Sequence, residues 1–216
     1  MATPSSGAIS LDQMNVEAGG SSGSTVSIND AQIRFLDSKS ANATSSFDDF
    51  YGIEAGGGIM SVGGSVVQTS STSNYQTTFT TNVRRGFSSY SGDPIIGSLT
   101  NDTISNFLSG QEIVAFRNFA RTQSGATVSS TGPTLQLYVF YGTGTAAPNT
   151  NSSFTTMLIN ETSFNRSAAT YNVNVFVSQA QWSWSAGSTV IKQTSSADPP
   201  FPPVTDPETT VPYVFI

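Results

Sequence analysis

The chain is predicted to be mainly β: a short-helix anchoring segment, then a β-sandwich or jelly roll, then an extended proline-rich C-terminal arm. Three observations carry this expectation. Runs such as Tyr171-Asn-Val-Asn-Val-Phe-Val177 and Leu135-Gln-Leu-Tyr-Val-Phe-Tyr141 follow the two-residue period of strands. The connections between such runs are full of Gly, Asn, Ser and Pro. Helical signals are confined to the first fifty-odd residues.

Residues 1–52 repeat one pattern three times: Ser10-Leu11-Asp12-Gln13, Ser27-Ile28-Asn29-Asp30 and Ser46-Phe47-Asp48-Asp49. A serine hydroxyl accepts from a free amide of the first helical turn, and the third residue after it reaches back to the serine's own N–H. Each copy therefore reads as the start of a short helix. Ile28, Ile33 and Leu36 fall near one face of the second, with Ala31 and Phe35 flanking it. Phe50 and Tyr51 close the third before Gly52, a residue suited to a left-handed C-cap. Three such short pieces make no core of their own, so the segment is expected to dock on something larger.

Residues 53–65 read as a glycine-rich hinge, with Gly56-Gly57-Gly58 and Gly63-Gly64. The glycines precede no Lys-Ser/Thr pair and no helix-forming run, so neither phosphate-binding fingerprint applies. Residues 66–193 read as the sandwich domain. Candidate strands are Ser65–Thr69, Gln76–Arg85, Ile95–Leu99, Ile113–Asn118, Leu135–Tyr141, Phe154–Ile159, Tyr171–Val177, Gln181–Ser185 and Thr189–Gln193.

Residues 194–216 read as the arm. Pro199, Pro200, Pro202, Pro203, Pro207 and Pro212 hold the chain extended, and the tip Val211, Tyr213, Val214, Phe215, Ile216 is apolar. Three outcomes are open for the tip. It adds to a sheet edge on a neighbouring subunit, returns to its own sheet, or stays disordered.

The chain has 216 residues, of which 37% are hydrophobic, 11% aromatic and only 10% charged, with a net charge of −6. Ordinary soluble proteins carry about 25% charged residues. This aromatic content argues for folding, because disorder goes with few aromatics and high net charge. The chain holds no cysteine and no histidine. Disulfides, thiolate zinc sites and His-assisted nucleophiles are thereby excluded. The eight basic residues are scattered, which argues against a nucleic-acid partner. No early apolar run reads as a signal peptide, and no stretch approaches the ~18 apolar residues of a membrane span. The chain is accordingly expected to fold in a cytosol, with no membrane insertion.

The opening also carries a resemblance. Gly7-Ala8-Ile9-Ser10-Leu11, then Val26-Ser27-Ile28-Asn29-Asp30-Ala31-Gln32-Ile33-Arg34, then Phe47-Asp48-Asp49-Phe50-Tyr51-Gly52 resembles a recurring module of tailed-bacteriophage virion proteins. The likeness covers about residues 5–52, and the third block departs from the family pattern at Ser45-Ser46-Phe47. Asp93-Pro94-Ile95-Ile96-Gly97-Ser98-Leu99, followed by Ile104, Phe107 and Leu108, is similar to a pattern in sandwich domains of phage structural proteins. These resemblances imply a virion protein of the tail, fibre, baseplate or neck. Its partners would be other virion proteins and further copies of itself, for example as a trimer. Ser10, Leu11, Ser27, Ile28, Ile33, Phe47, Phe50 and Tyr51 would form the anchor.

No catalytic constellation emerges, and neither an enzyme nor a cofactor nor a metal is expected. Asp48 and Asp49 are adjacent on a short helix start, where acids favour the dipole. A glycosidase instead sets two carboxyl groups across a sugar, about 5–10 Å apart. Glu112, Glu161, Asp93 and Asp102 lie in separate loops or strand ends. Recognition of a host-surface glycan is the alternative function. Arg84 and Arg85 would grip acidic groups, and Trp182 and Trp184, with Tyr138 and Tyr141, would stack on sugar rings. The competing reading places the arginines at strand ends in water and the aromatics in the sandwich core. A polysaccharide depolymerase is a third reading, disfavoured by the lack of paired carboxylates.

Overall fold

A computed structural model describes residues 3–37, 43–53, 55–91, 93–100, 108, 111–125, 129–141, 147, 154–160, 162–185, 200–201 and 209–216. The chain is mainly β, built from two antiparallel sheets with a small helical cap. The proposed strand Thr189–Gln193 and most of the proline run lie outside the described residues.

Ser10 and Ser46 cap their helices as expected, whereas the Ser27 copy closes a turn and its helix starts three residues later, after Asp30. Ser10 opens helix α1 (Leu11–Glu17), where its Oγ accepts from the Gln13 N–H at 3.2 Å and its own N–H donates to Gln13 Oε1 at 2.8 Å. Ser27 donates its N–H to Asp30 Oδ2 at 2.8 Å just before helix α2 (Ala31–Leu36). Ser46 makes the same exchange with Asp49 at the head of a 3-10 turn, Phe47–Phe50. Asp12, in the first turn of α1, accepts from the Gly23 N–H and the Ser22 hydroxyl. Those bonds, the backbone one first, hold its carboxyl below the usual range.

What the segment docks on is the chain's own sheet. Met14, Ala18, Ile33, Leu36 and Phe50 are buried against Ala55, Leu158 and Val214, with Ile9, Leu11, Ile28, Ile53 and Ile216 partly buried around them. Polar bonds lock the seam. Glu17 is buried and accepts from the Ala55 N–H at 2.6 Å. Thr3 donates its hydroxyl to the Phe50 carbonyl at 2.5 Å and accepts from the Ile53 N–H at 2.9 Å.

The glycine run is not a hinge. Gly56–Ser61 is strand β1, paired in register with Thr210–Phe215, which is strand β11. Its glycines permit close approach instead. A Cβ on Gly57 would stand 2.1 Å from the Tyr213 carbonyl oxygen. A Cβ on Gly19, just past α1 with φ +86°, would stand 2.3 Å from the Gly57 carbonyl carbon. Helix exit, β1 and β11 are stacked too tightly for side chains at these points.

The first sheet has the strand order β4-β1-β11-β7-β8, where β4 is Ser98–Leu99, β7 is Thr156–Ile159 and β8 is Thr162–Asn165. The apolar tip is therefore neither an arm on a neighbour nor a loose tail. It forms a central strand of its own sheet, with Tyr213, Val214 and Phe215 fully buried. The second sheet runs β2-β3-β5-β6-β10-β9. Its strands are β2 (Gly63–Ser73), β3 (Gln76–Ser88), β5 (Glu112–Gly125), β6 (Ser129–Phe140), β9 (Thr170–Asn174) and β10 (Gln179–Ser185).

The inner faces meet in one aromatic core. Phe116, Leu137, Trp182 and Trp184 from the second sheet face Tyr213 and Phe215 from the first. Phe154 sits edge-on to Trp182 at 5.7 Å and to Phe215 at 5.2 Å between ring centroids. Leu108 joins this core, whereas Ile104 and Phe107 lie outside the described residues.

Two details depart from the periodicity. The run expected as one strand over Tyr171–Val177 stops at Asn174, whose Oδ1 accepts from the Phe176 N–H at 3.1 Å and caps a turn. Ser178 takes φ +51°, and the chain returns as β10. The second departure is length. Strands β2, β3 and β5 run several residues past the sandwich, and every residue from Gln68 to Gln76 is exposed. Alternate residues of a strand point to opposite faces, so an unbroken exposed run leaves both faces uncovered.

The tip of this extension is a two-residue turn, Asn74-Tyr75, with φ +50° and +63°. Positive φ at both positions matches the hairpin turn that favours Asn followed by Gly. Tyr75 is fully solvent-exposed and makes no contact that would offset its left-handed backbone. Tyr75→Gly is expected to stabilise the protein by about 0.5–1 kcal/mol. A raised midpoint in urea at unchanged slope would show it.

Candidate functional site

The sequence-proposed glycan residues are not on a common surface. Trp182 and Trp184 face inward at 1% and 4% exposure, and the Trp184 indole donates to the Asn165 carbonyl at 2.8 Å. They are core residues because the pleat puts them on the side of Leu135, Leu137 and Val139, their cross-strand neighbours on β6. Tyr141 belongs to the same core. Arg84 and Arg85 occupy successive positions on β3 and so point to opposite faces, and neither is available to a ligand: Arg85 is 1% exposed and Arg84 9%. Four of the anchor residues are likewise turned inward. Ile33 and Phe50 are buried under the helical cap, and Leu11 and Ile28 lean on the same cluster. The Tyr51 hydroxyl donates to the Gly7 carbonyl. Ser10, Ser27 and Phe47 remain at the surface.

The outer face of the six-stranded sheet holds the most structured polar site among the described residues. By alternation Arg84, Arg117, Tyr138, Gln179, Gln181, Asn172 and Asn174 share this face. The loop leaving β3 folds back over it. Ser88 and Ile96 bridge across the loop's base, the Ile96 N–H donating to the Ser88 carbonyl at 3.0 Å. Between them the Asp93 N–H donates to the Tyr90 carbonyl at 3.2 Å, closing a turn.

Asp93 pins this loop to the sheet. Its two carboxylate oxygens bridge Arg84 at 2.5 Å and Arg117 at 2.7 Å. Arg117 also donates to Ser88 Oγ at 2.8 Å and lies over the Tyr138 ring, 5.4 Å from its centroid. Arg84 lies over Phe119 at the same distance of 5.4 Å. Burial lowers the Arg84 pKa from its ordinary value, opposed by Asp93 and assisted by the Arg117 charge. Burial also pushes the Tyr138 hydroxyl up, with Arg117 working against the rise. Tyr138 thus remains a neutral phenol.

The pinned loop lays Tyr90 on Tyr138, ring centroids 6.0 Å apart and planes 25° from parallel. Tyr90, Tyr138, Asn172, Val173, Asn174, Gln179 and Gln181 line a depression of about 330 Å³. Among the described residues its polar groups are side-chain amides and phenols, and no carboxylate lines it. The amides were legible as the polar alternates of two strand patterns, one on each side of the turn at Asn174. Tyr90 was not, because only tertiary folding brings its loop across the sheet. Among the described residues, no group of three or more His, Cys, Asp or Glu residues could hold a metal, and no helix is long and apolar enough to cross a membrane.

No protein-family model, curated protein or solved structure matches the chain.

Proposed function

We propose that this chain is a structural component of a tailed-phage virion, a tail-fibre or baseplate- or neck-associated subunit, that works by assembly and carries out no bond chemistry. Support for the virion comes from the three-block opening over residues 5–52. Support for assembly comes from one structural observation, the bare extension at the tips of β2, β3 and β5. Among the described residues strand β2 is an edge, eleven residues long, with no charge and no proline. Natural edges of this length are usually blunted, because their free N–H and C=O groups recruit another strand. An unblunted edge suits pairing with a further copy of the chain or with another virion protein. The role assigned to the short-helix segment passes to this edge, since the cap's apolar face is spent internally. The protein is assembled in the host cytoplasm and acts outside the cell as part of the particle.

The test is a particle. Purified virions should contain the chain by mass spectrometry, and antibody fragments against residues 68–76 should label a repeated position around the tail axis or lose their epitope to subunit contacts. Purified protein should associate in light-scattering measurements. Ser70→Lys should return it to monomer, because antiparallel pairing about this point sets like charges opposite each other. A chain missing from every particle and monomeric at about 100 μM, well above typical specific affinities, would refute the proposal.

A further inference from the structure

We infer that the depression between Tyr90 and strands β6, β10 and β9 is a binding site for a neutral sugar ring. Four features point there. Its volume of about 330 Å³ falls in the range of small-molecule sites and suits one or two pyranose rings. It combines aromatic rings with amides. Tyrosine rings offer an apolar surface for the C–H face of a sugar. Each amide of Asn172, Asn174, Gln179 and Gln181 has both donor and acceptor groups. Sugar hydroxyls are also both, so amides suit them in either direction.

Charge selects the ligand class. Among the described residues no ionised group lines the depression. Arg117, which lies over the Tyr138 ring, is already engaged by Asp93 and Ser88. An acidic sugar would find no free counter-charge, and a basic ligand would find no carboxylate. Some of the amide capacity is already used. Gln181 donates to Ser183 Oγ at 2.6 Å, and Asn174 Oδ1 accepts from Phe176. Those bonds fix the two side chains and leave the Gln181 carbonyl and the Asn174 amino group to a ligand. Preorganised polar groups lower the cost of binding.

The site also differs in kind from the extension at β2. It is concave and polar and lies on the half of the sheet that includes the other edge, β9. A sugar bound here would not compete with strand pairing at β2, and the inference holds whether or not the chain belongs to a virion.

The experiment uses the purified full chain on an array of neutral oligosaccharides of hexoses, deoxyhexoses and N-acetylhexosamines, beside their uronic-acid and sialylated counterparts. Array hits are then titrated by NMR. The expected result is binding to at least one neutral oligosaccharide. Tyr90→Ala, on the loop, and Asn172→Ala, on an exposed strand position, should each weaken it about tenfold, the scale of losing one stacking or hydrogen-bonding partner. Thr72→Ala in the extension should leave it unchanged. Unaltered amide spectra away from the site would show that the variants fold. Binding to none of the neutral sugars, binding only to the acidic ones, or neutral binding undiminished in both variants would each overturn the inference.

Discussion

A chain cut after residue 208 is expected to yield no soluble, cooperatively folding protein. The missing segment is β11, which lies between β1 and β7. Its loss unpairs both neighbours, breaking the register from Gly56↔Phe215 to Ser61↔Thr210 on one side and from Tyr213↔Ile159 to Phe215↔Met157 on the other. It also empties both layers of the core. Tyr213 and Phe215 point into the aromatic cluster between the sheets, while Val214 points into the cluster under the helical cap. Burial of Val211, Tyr213, Val214 and Phe215 contributes about 1.5–3 kcal/mol per side chain. Their sum rivals the whole stability of a typical domain, about 5–15 kcal/mol. A milder variant keeps the prediction readable. Tyr213→Ala should fold but lose about 3–5 kcal/mol, since the ring packs edge-on to Phe116 at 5.8 Å. Denaturant titration of this variant, with the soluble yield of the truncated chain, checks both. A truncated chain that melts cooperatively near the full-length temperature would show that the terminal strand is dispensable.

Asp93→Asn is expected to cost about 3 kcal/mol, a melting temperature lower by roughly 10 °C for a chain of this size. Two guanidinium groups share one carboxylate, with Arg84 9% and Arg117 4% exposed. Removing the carboxylate leaves two like charges facing each other with little water to screen them. Removing one cation has a smaller consequence, because Asp93 and Arg117 then form a neutral pair. Arg84→Met should therefore cost about 1 kcal/mol or less, since the methionine retains contact with Phe119. Thermal melts of the two variants decide the matter by their order. Asp93→Asn should also loosen Tyr90 and weaken any sugar bound beside it, because the carboxylate is what ties that loop to the sheet. Arg84→Met should leave such binding nearly intact.

The parts of this protein that were legible in its sequence are those governed by neighbours within a few residues. The serine motifs depend on a side chain reaching three positions along the chain, and Gln13, Asp30 and Asp49 each reach back to the N–H of Ser10, Ser27 and Ser46. Strand faces depend on alternation, and Leu135, Leu137 and Val139 share the buried side of β6 as their spacing requires. The mainly β class follows from the same local rules. What tertiary structure alone decided is which surface each element meets. Gly56-Gly57-Gly58 has the composition of a linker, yet it is a strand, because helix exit and β11 crowd its two sides. Val211–Ile216 reads first as an arm on a neighbour, with a strand of its own sheet or a loose tail as alternatives, and the choice fell to a gap between β1 and β7 that forms from residues some 50 to 160 positions away. Trp182 and Trp184 are evident as a same-face pair, but only the opposing Phe154 and Phe215 make that face the inside. Burial is a property of pairs of surfaces, and one strand's pattern states that it has an apolar side without stating what will cover it.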